Sequence, residues 1–465
     1  MLRKISIQWW RFWMAGEGLS IKTGRALVLC ALTGLLGGLA AAGFYWLLET
    51  GRYLLMESLA HHSPTLAAGE VALYPMTHQA PLRWVLLVLP ALGGWAAALL
   101  VAWFAPSAGG HGTDAAIHAY HRNEGRIPFA VIPVKALASS LVIGSGGSAG
   151  CEGPVTQIGA GCGSALAGLF KLDTAERRIL MAAGLAAGVG AIFRAPLAGA
   201  LFAAEIFYSG LDIEYEVMIP SLVASTVAYT VFALFFGWQP LFVMTPYNFD
   251  DPLKLLPYLI LALVVALGAK FYIQVFRRTE AFCRRWQVPV WVKPGIGGLL
   301  TGGIGFFLPE VLGSGYGLIQ QALAEGSPLA ERFGTLSLAM LWLIFFGKIL
   351  ATSFTVGSGG SGGVFGPALV AGSALGAATG LTLMKIFPGM DLHPGAFAMV
   401  GMAGFLAASV RVPIAAIIMV SEITGNHTLL LPTMWVCGIT YWLGNGWTLY
   451  RSQVRTRDCS PAHSR

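Results

Sequence analysis

Charge is scarce in this chain. Asp, Glu, Lys and Arg make up 11% of its 465 residues, where a soluble globular domain carries about 25%. Hydrophobic residues make up 56%. That balance excludes an ordinary water-soluble domain and points into a membrane. The six cysteines, Cys30, Cys151, Cys162, Cys283, Cys437 and Cys459, lack metal-site spacing. Unpaired packing residues are expected, with no metal and no cofactor. His-Glu-x-x-His is absent, which removes the zinc-protease signature. The N-terminal run lacks the three regions of a secretory signal peptide.

Long apolar stretches are present. Ala26–Leu48, Trp84–Phe104, Met218–Phe236, Leu255–Val275 and Leu336–Phe354 are long enough to span a bilayer, which takes about 20 apolar residues. Val155–Phe170, Met181–Ile192 and Ala396–Ala408 are shorter and interrupted by glycine. Such pieces predict broken or re-entrant helices covered by protein. The chain carries 60 glycines; small residues let helices approach closely in lipid. The net charge of +7 gathers at the ends. Arg3, Lys4, Arg11, Lys22 and Arg25 face one acid, Glu17, and Arg451, Arg455, Arg457 and Arg465 face Asp458. This is a topology signal rather than a nucleic-acid patch, and it puts both termini in the cytoplasm. Trp9, Trp10, Arg11, Phe12 and Trp13 read as an interfacial helix within residues 1–24.

The chain states one message twice. Lys135 to Pro154 reads KALASSLVIGSGGSAGCEGP and Lys348 to Pro367 reads KILATSFTVGSGGSGGVFGP, with twelve of the twenty positions identical. Arg194-Ala-Pro196 leads to Glu205 as Arg411-Val-Pro413 leads to Glu422. Upstream, Gly110-His111-Gly112 corresponds to Gly315-Tyr316-Gly317. Two related halves, about 25–230 and 231–450, form one membrane domain over 25–452, followed by a tail over 453–465. An all-α integral membrane protein follows.

Gly-rich loops that enter helices leave N–H groups at the positive end of the helix dipole, which suits an anion. Three loops qualify: Gly109-Gly110-His111-Gly112, Gly144–Gly150 leading into Cys151-Glu152-Gly153-Pro154, and Gly362-Gly363-Val364-Phe365-Gly366-Pro367. Several such starts converging at mid-membrane depth hold an anion without a full positive charge, so the ion leaves as readily as it arrives. Glu152 is a lone acid among them, with Phe365 at the equivalent repeat position. A carboxylate there marks a functional site. It mimics the anion, blocks the path and releases it on protonation. The bland alternative is a helix cap.

The order Gly-x-Gly, then GSGGSAGCEGP, then GGVFGP, then a late Tyr450, resembles the CLC family of chloride channels and chloride/proton exchangers, of bacterial type without C-terminal regulatory domains. The resemblance implies an inverted repeat of tilted helices and a homodimer in the inner (plasma) membrane, with one chloride pathway per subunit. It implies Glu152 as the gate. Around the anion it implies His111, Gly112, Gly150, Gly153, Gly363, Val364, Phe365 and the Tyr450 hydroxyl.

Two departures stand out. His111 replaces the usual serine, so an imidazole stands where a hydroxyl would contact the anion. Ile206 replaces the second of two glutamates that exchangers carry after the Pro-Leu-Ala-Gly segment, leaving Glu205. Glu205 recurs as Glu422, which favours a structural role over proton relay. Asp212, Glu214 and Glu216 are expected in a solvated loop. Ile206 tilts the expectation toward channel-like or weakly coupled flux, with a fully coupled antiporter as the alternative. A fluoride exporter ranks far lower, because Glu-Gly-Pro and Gly-x-Phe-x-Pro do not fit it. An intramembrane enzyme would need His111 beside Ser145 or Ser148, and no enzyme is expected.

Overall fold

Helices are what an apolar chain with no water to bond its backbone must form. The computed structural model describes residues 19–77, 79–247, 249 and 251–463, with side chains from 24 onward. Among them are seventeen α-helices and no β-strand beyond two isolated bridges. The aromatic run Trp9–Trp13 lies outside the described residues.

The first half comprises α1 (Leu19–Arg52), α2 (Arg83–Phe104), α3 (Gly112–Arg122), α4 (Val131–Gly144), α5 (Glu152–Leu169), α6 (Thr174–Ile192), α7 (Pro196–Glu205) and α8 (Met218–Phe236). The second comprises α9 (Leu255–Arg285), α10 (Lys293–Phe307), α11 (Tyr316–Ala324), α12 (Ala330–Phe333), α13 (Leu338–Gly357), α14 (Phe365–Ile386), α15 (Pro394–Ser409), α16 (Pro413–Thr424) and α17 (Leu430–Leu443). Apart from the short α12, each helix has a counterpart in the other half, in the same order. Among the described residues, six helical segments are long and apolar enough to cross a bilayer. Of the shorter ones, α15 is buried along its whole length, whereas α17 exposes Leu431, Met434, Trp435 and Trp442. Observed helices run past the expected apolar stretches, because α9 continues to Arg285 and α6 begins at Thr174. Polar ends extend a helix once its core turns are packed.

The halves meet at equivalent positions. Gly150 donates to the Gly363 carbonyl at 2.8 Å, and Gly363 donates back to Gly150 at 2.7 Å. A residue that pairs in antiparallel fashion with its own repeat equivalent lies on the pseudo-twofold axis. Around that axis the contacts come in matched pairs. The Ser139 and Ser361 hydroxyls are 2.9 Å apart, and those of Ser148 and Thr352 are 3.0 Å apart. Each half also contains very close helix crossings at equivalent places. A Cβ on Gly159 would sit 2.1 Å from the Gly184 carbonyl oxygen, and one on Gly372 would sit 2.8 Å from that of Gly401. Glycine is required there for α5 to pack on α6 and α14 on α15.

Candidate anion pathway and gate

The recurring lysines hold the loops that start the site. Lys135 Nζ donates to the Ala108 and Gly110 carbonyls at 3.0 and 2.6 Å. Lys348 Nζ donates to Val311 and Gly313 at 3.0 and 2.7 Å. Both lysines are fully buried. Each therefore trades its water shell for carbonyls and clamps the turn just before α3 or α11. Gly110 and Gly313 carry the left-handed backbone these turns need, with φ of 63° each. The clamps deliver His111 at the N-cap of α3 and Tyr316 as the first residue of α11.

Glu152 opens α5 and is 2% exposed. Its Oε2 accepts from the Gly366 N–H at 3.1 Å. Gly366 is in the first turn of α14, so a carboxylate of the first half is seated on a helix start of the second. An anion belongs at such a start, where N–H groups lack helical acceptors and the dipole is positive. Glycines make the room. A Cβ on Gly150 would lie 1.9 Å from Glu152 Oε2, and one on Gly366 would lie 2.6 Å from Oε1. Glu152 Oε1 accepts from the Tyr316 hydroxyl.

On the far side of the carboxylate, His111 and Tyr450 face each other with ring centroids 5.5 Å apart. The Tyr450 hydroxyl and His111 Nδ1 are both buried and make no hydrogen bond of good geometry. Thr113 is a polar neighbour of the Tyr450 hydroxyl. Orphaned buried polar atoms are costly unless something else occupies the space between them. Phe365 packs on Phe193 and Phe202, while Tyr272 fixes the loop by donating to the Val364 carbonyl at 3.1 Å. A Cβ on Gly153 would sit 2.8 Å from Gly363 Cα, and one on Gly112 would sit 2.4 Å from the Gly153 carbonyl oxygen. The structure thus brings together all the anion-site residues expected from the sequence: His111, Gly112, Gly150, Gly153, Gly363, Val364, Phe365 and Tyr450.

Two cavities approach this cluster from opposite sides. One, of about 380 Å³, is lined by His111, Asp114, His118, Gln157, Glu280 and Ser452. The other is narrow, about 40 Å³, and ends at Cys151 and Tyr316 among Glu49, Arg52, Glu70 and Arg194. Glu152 lines neither cavity.

One sequence expectation changes. Glu214 is fully buried rather than solvated. Its Oε2 accepts from the Tyr208 hydroxyl at 2.6 Å and pairs with His463 at 2.8 Å, and Arg457 lies 3.1 Å from Oε1. The tail folds back over the turn and seals it. Ser145 and Ser148 are not poised as nucleophiles. Ser148 lies in a Gly-x-Ser-x-Gly run, yet its hydroxyl pairs with Thr352, and that of Ser145 donates to the Val142 carbonyl. Tyr316 is the residue sequence reasoning missed; its place in a Gly-x-Gly run resembling that of His111 was the available signal. Glu205 caps another helix, with its oxygens accepting from Ile414 and Ala415 at 3.2 and 2.9 Å.

An inverted repeat in a membrane, with crossed helix starts around a buried carboxylate between two cavities, defines an ion-transport protein of the membrane. A family model described as "Voltage gated chloride channel" matches residues 93–445. The H(+)/Cl(-) exchange transporter ClcA of Citrobacter koseri is 35% identical over 366 residues, covering 77% of this chain and 74% of that protein. ClcA of Yersinia pestis is 33% identical over 423 residues, covering 89% and 82%. Among solved structures, a slow cyanobacterial Cl-/H+ antiporter superposes with a TM-score of 0.76 at 25% identity, over 92% of this chain and 96% of that one. A CLC-type fluoride/proton antiporter superposes at 0.77 with 22% identity, over 95% and 100%, a likeness of fold. This chain belongs to the voltage-gated chloride channel family, the CLC proteins.

Proposed function

We propose that the protein exchanges chloride for protons across the bacterial inner membrane, as a homodimer with one pathway per subunit and Glu152 as the gate of each. The observation that carries this reading is the Glu152 carboxylate, seated on the N-terminus of α14 between two cavities. Chloride displaces it when it is protonated, because a neutral carboxyl no longer competes for the N–H groups. His111 Nδ1 and the Tyr450 hydroxyl are the donors for the anion next to it. The cavity at His111 is the cytoplasmic one, since Ser452 lines it and the Arg-rich tail follows.

Ile206 alone favours uncoupled flux, but the relatives are named exchange transporters, and the alternative of a coupled antiporter is the better reading. Such exchange needs a cytoplasmic proton acceptor. Glu205 has both oxygens engaged by α16. Glu214 is the better candidate, because it is buried yet reached through His463, whose side chain is 24% exposed. Chloride efflux from proteoliposomes, recorded with a pH electrode, tests the proposal. Proton uptake against its gradient, driven by chloride at a constant ratio, is expected. Chloride flux without proton movement rejects exchange, and the absence of any flux rejects transport.

A further inference from the structure

Tyr316 opens α11, behind a turn that Lys348 clamps as Lys135 clamps the turn before His111, and its hydroxyl meets Glu152. Its ring is 5% exposed and stands edge-on to Phe242. Its hydroxyl has two partners, Glu152 Oε1 and, at 3.4 Å, Cys151 Sγ. The narrow cavity ends on this hydroxyl and on Cys151, with Glu152 beyond. Whatever arrives at Glu152 from that side meets Tyr316 first.

We propose that Tyr316 is the latch of the gate, a positioning residue whose hydroxyl holds the Glu152 carboxylate on the N-terminus of α14 until the carboxylate takes up a proton. A hydroxyl that donates to an ionised acceptor makes one of the stronger neutral-to-charged hydrogen bonds. Protonation makes the acceptor a poorer one, and the carboxyl is free to swing out. The latch itself is placed by Lys348, which clamps Val311 and Gly313 just before it. Gly315 carries left-handed backbone with φ of 81°, which favours glycine, and a Cβ there would press on Lys348 Nζ at 3.0 Å. Lys348 is also the cation that acts on Glu152. The titratable groups around Glu152 are Cys151, Tyr316, Tyr272 and Tyr450. On the cavity side stand Glu49, Arg52, Glu70 and Arg194, and burial pushes the Glu70 carboxyl up to about 7.

This inference rests on the reading of Glu152 as the gate, and the experiment separates the two. Chloride flux is measured against pH in proteoliposomes for the parent protein, Tyr316→Phe, Glu152→Ala and the double variant. Removing the donor makes Glu152 easier to protonate, so the pH of half-maximal flux is expected to rise by about one unit in Tyr316→Phe. Glu152→Ala is expected to flatten the profile, and adding Tyr316→Phe to it is expected to change nothing. A Tyr316→Phe profile equal to the parent's, beside a flat Glu152→Ala profile, overturns the latch and leaves the gate standing. A Glu152→Ala profile equal to the parent's overturns the gate and the latch with it. A shift of equal size in both backgrounds also overturns the latch, since the tyrosine then acts on a group other than Glu152. Infrared difference spectra of the parent between acid and neutral pH decide the matter if Tyr316→Phe fails to fold. A tyrosine band that changes together with the Glu152 carboxyl band, both lost in Glu152→Ala, supports the latch; a carboxyl band that changes alone overturns it.

Discussion

Glu205 and Glu422 cap each other's helices. Glu205 ends α7 and accepts from Ile414 and Ala415 at the start of α16; Glu422, near the end of α16, accepts from Leu197 and Ala198 at the start of α7, at 3.3 and 2.8 Å. Two antiparallel helices thus exchange carboxylates across the pseudo-twofold axis. Each start places a proline at its first position, which removes one unbonded N–H, and borrows its cap from the other half. The arginines just before these prolines, Arg194 and Arg411, take left-handed backbone with φ of 56° and 70°. Their guanidinium groups donate to carbonyls at the last turns of α8 and α17, Phe236 at 3.0 Å and Tyr441 at 2.5 Å, and Arg411 donates also to Ser209 at 3.1 Å.

This exchange predicts a stability effect without a site effect. Glu205→Ala leaves two helix-start N–H groups without acceptors, at a cost of about 1–3 kcal/mol. Thermal unfolding in detergent should show a clear loss of midpoint for Glu205→Ala and a similar loss for Glu422→Ala. Chloride-to-proton coupling in surviving protein should be unchanged. Loss of coupling in Glu205→Ala with no loss of stability would make Glu205 a proton carrier instead.

Glu152→Gln should remove the pH dependence of chloride flux and abolish proton movement, because the amide cannot ionise. Parallel chloride and pH electrodes read both. A glutamine variant that still moves protons uphill would place the gate elsewhere.

His111→Ser should alter the ratio of chloride to nitrate flux by about fivefold, the worth of one net hydrogen bond of about 1 kcal/mol. The direction follows from size: a hydroxyl reaches less far than an imidazole and leaves more room for nitrate. Anomalous density from bromide beside the Tyr450 hydroxyl in crystals of the parent protein would give the position directly. Identical flux ratios in the two proteins would show that Nδ1 does not contact the anion.

Glu214→Gln should keep chloride flux and lose most of the coupled proton movement. The amide remains able to bond Tyr208, so the fold around the tail should persist. Unchanged coupling in Glu214→Gln would assign the cytoplasmic proton step to another group.

The Glu152 and Phe365 loops were legible from the sequence because they lie inside the repeat, and a repeat is read from letters alone. His111 was legible through its departure from a family motif. Glu214 was not, since a run of acids between helices looks solvated until the tail of Arg457 and His463 is folded over it. Tyr316 escaped for a related reason. It lies 164 residues from Glu152 in the chain, and no spacing rule links the two.

By itself the sequence determined the membrane environment, the two-fold internal repeat and the places where Gly-rich loops enter helices. Those follow from composition, hydropathy and local backbone preference, which act over a few turns of chain. Only the tertiary structure decided which helix start each carboxylate meets. The inverted arrangement puts Gly150 against Gly363, Glu152 on α14, Glu205 on α16 and Glu422 on α7. Each of these contacts joins one half to the other, and hydrogen bonds over such distances in sequence form only after the helices have packed.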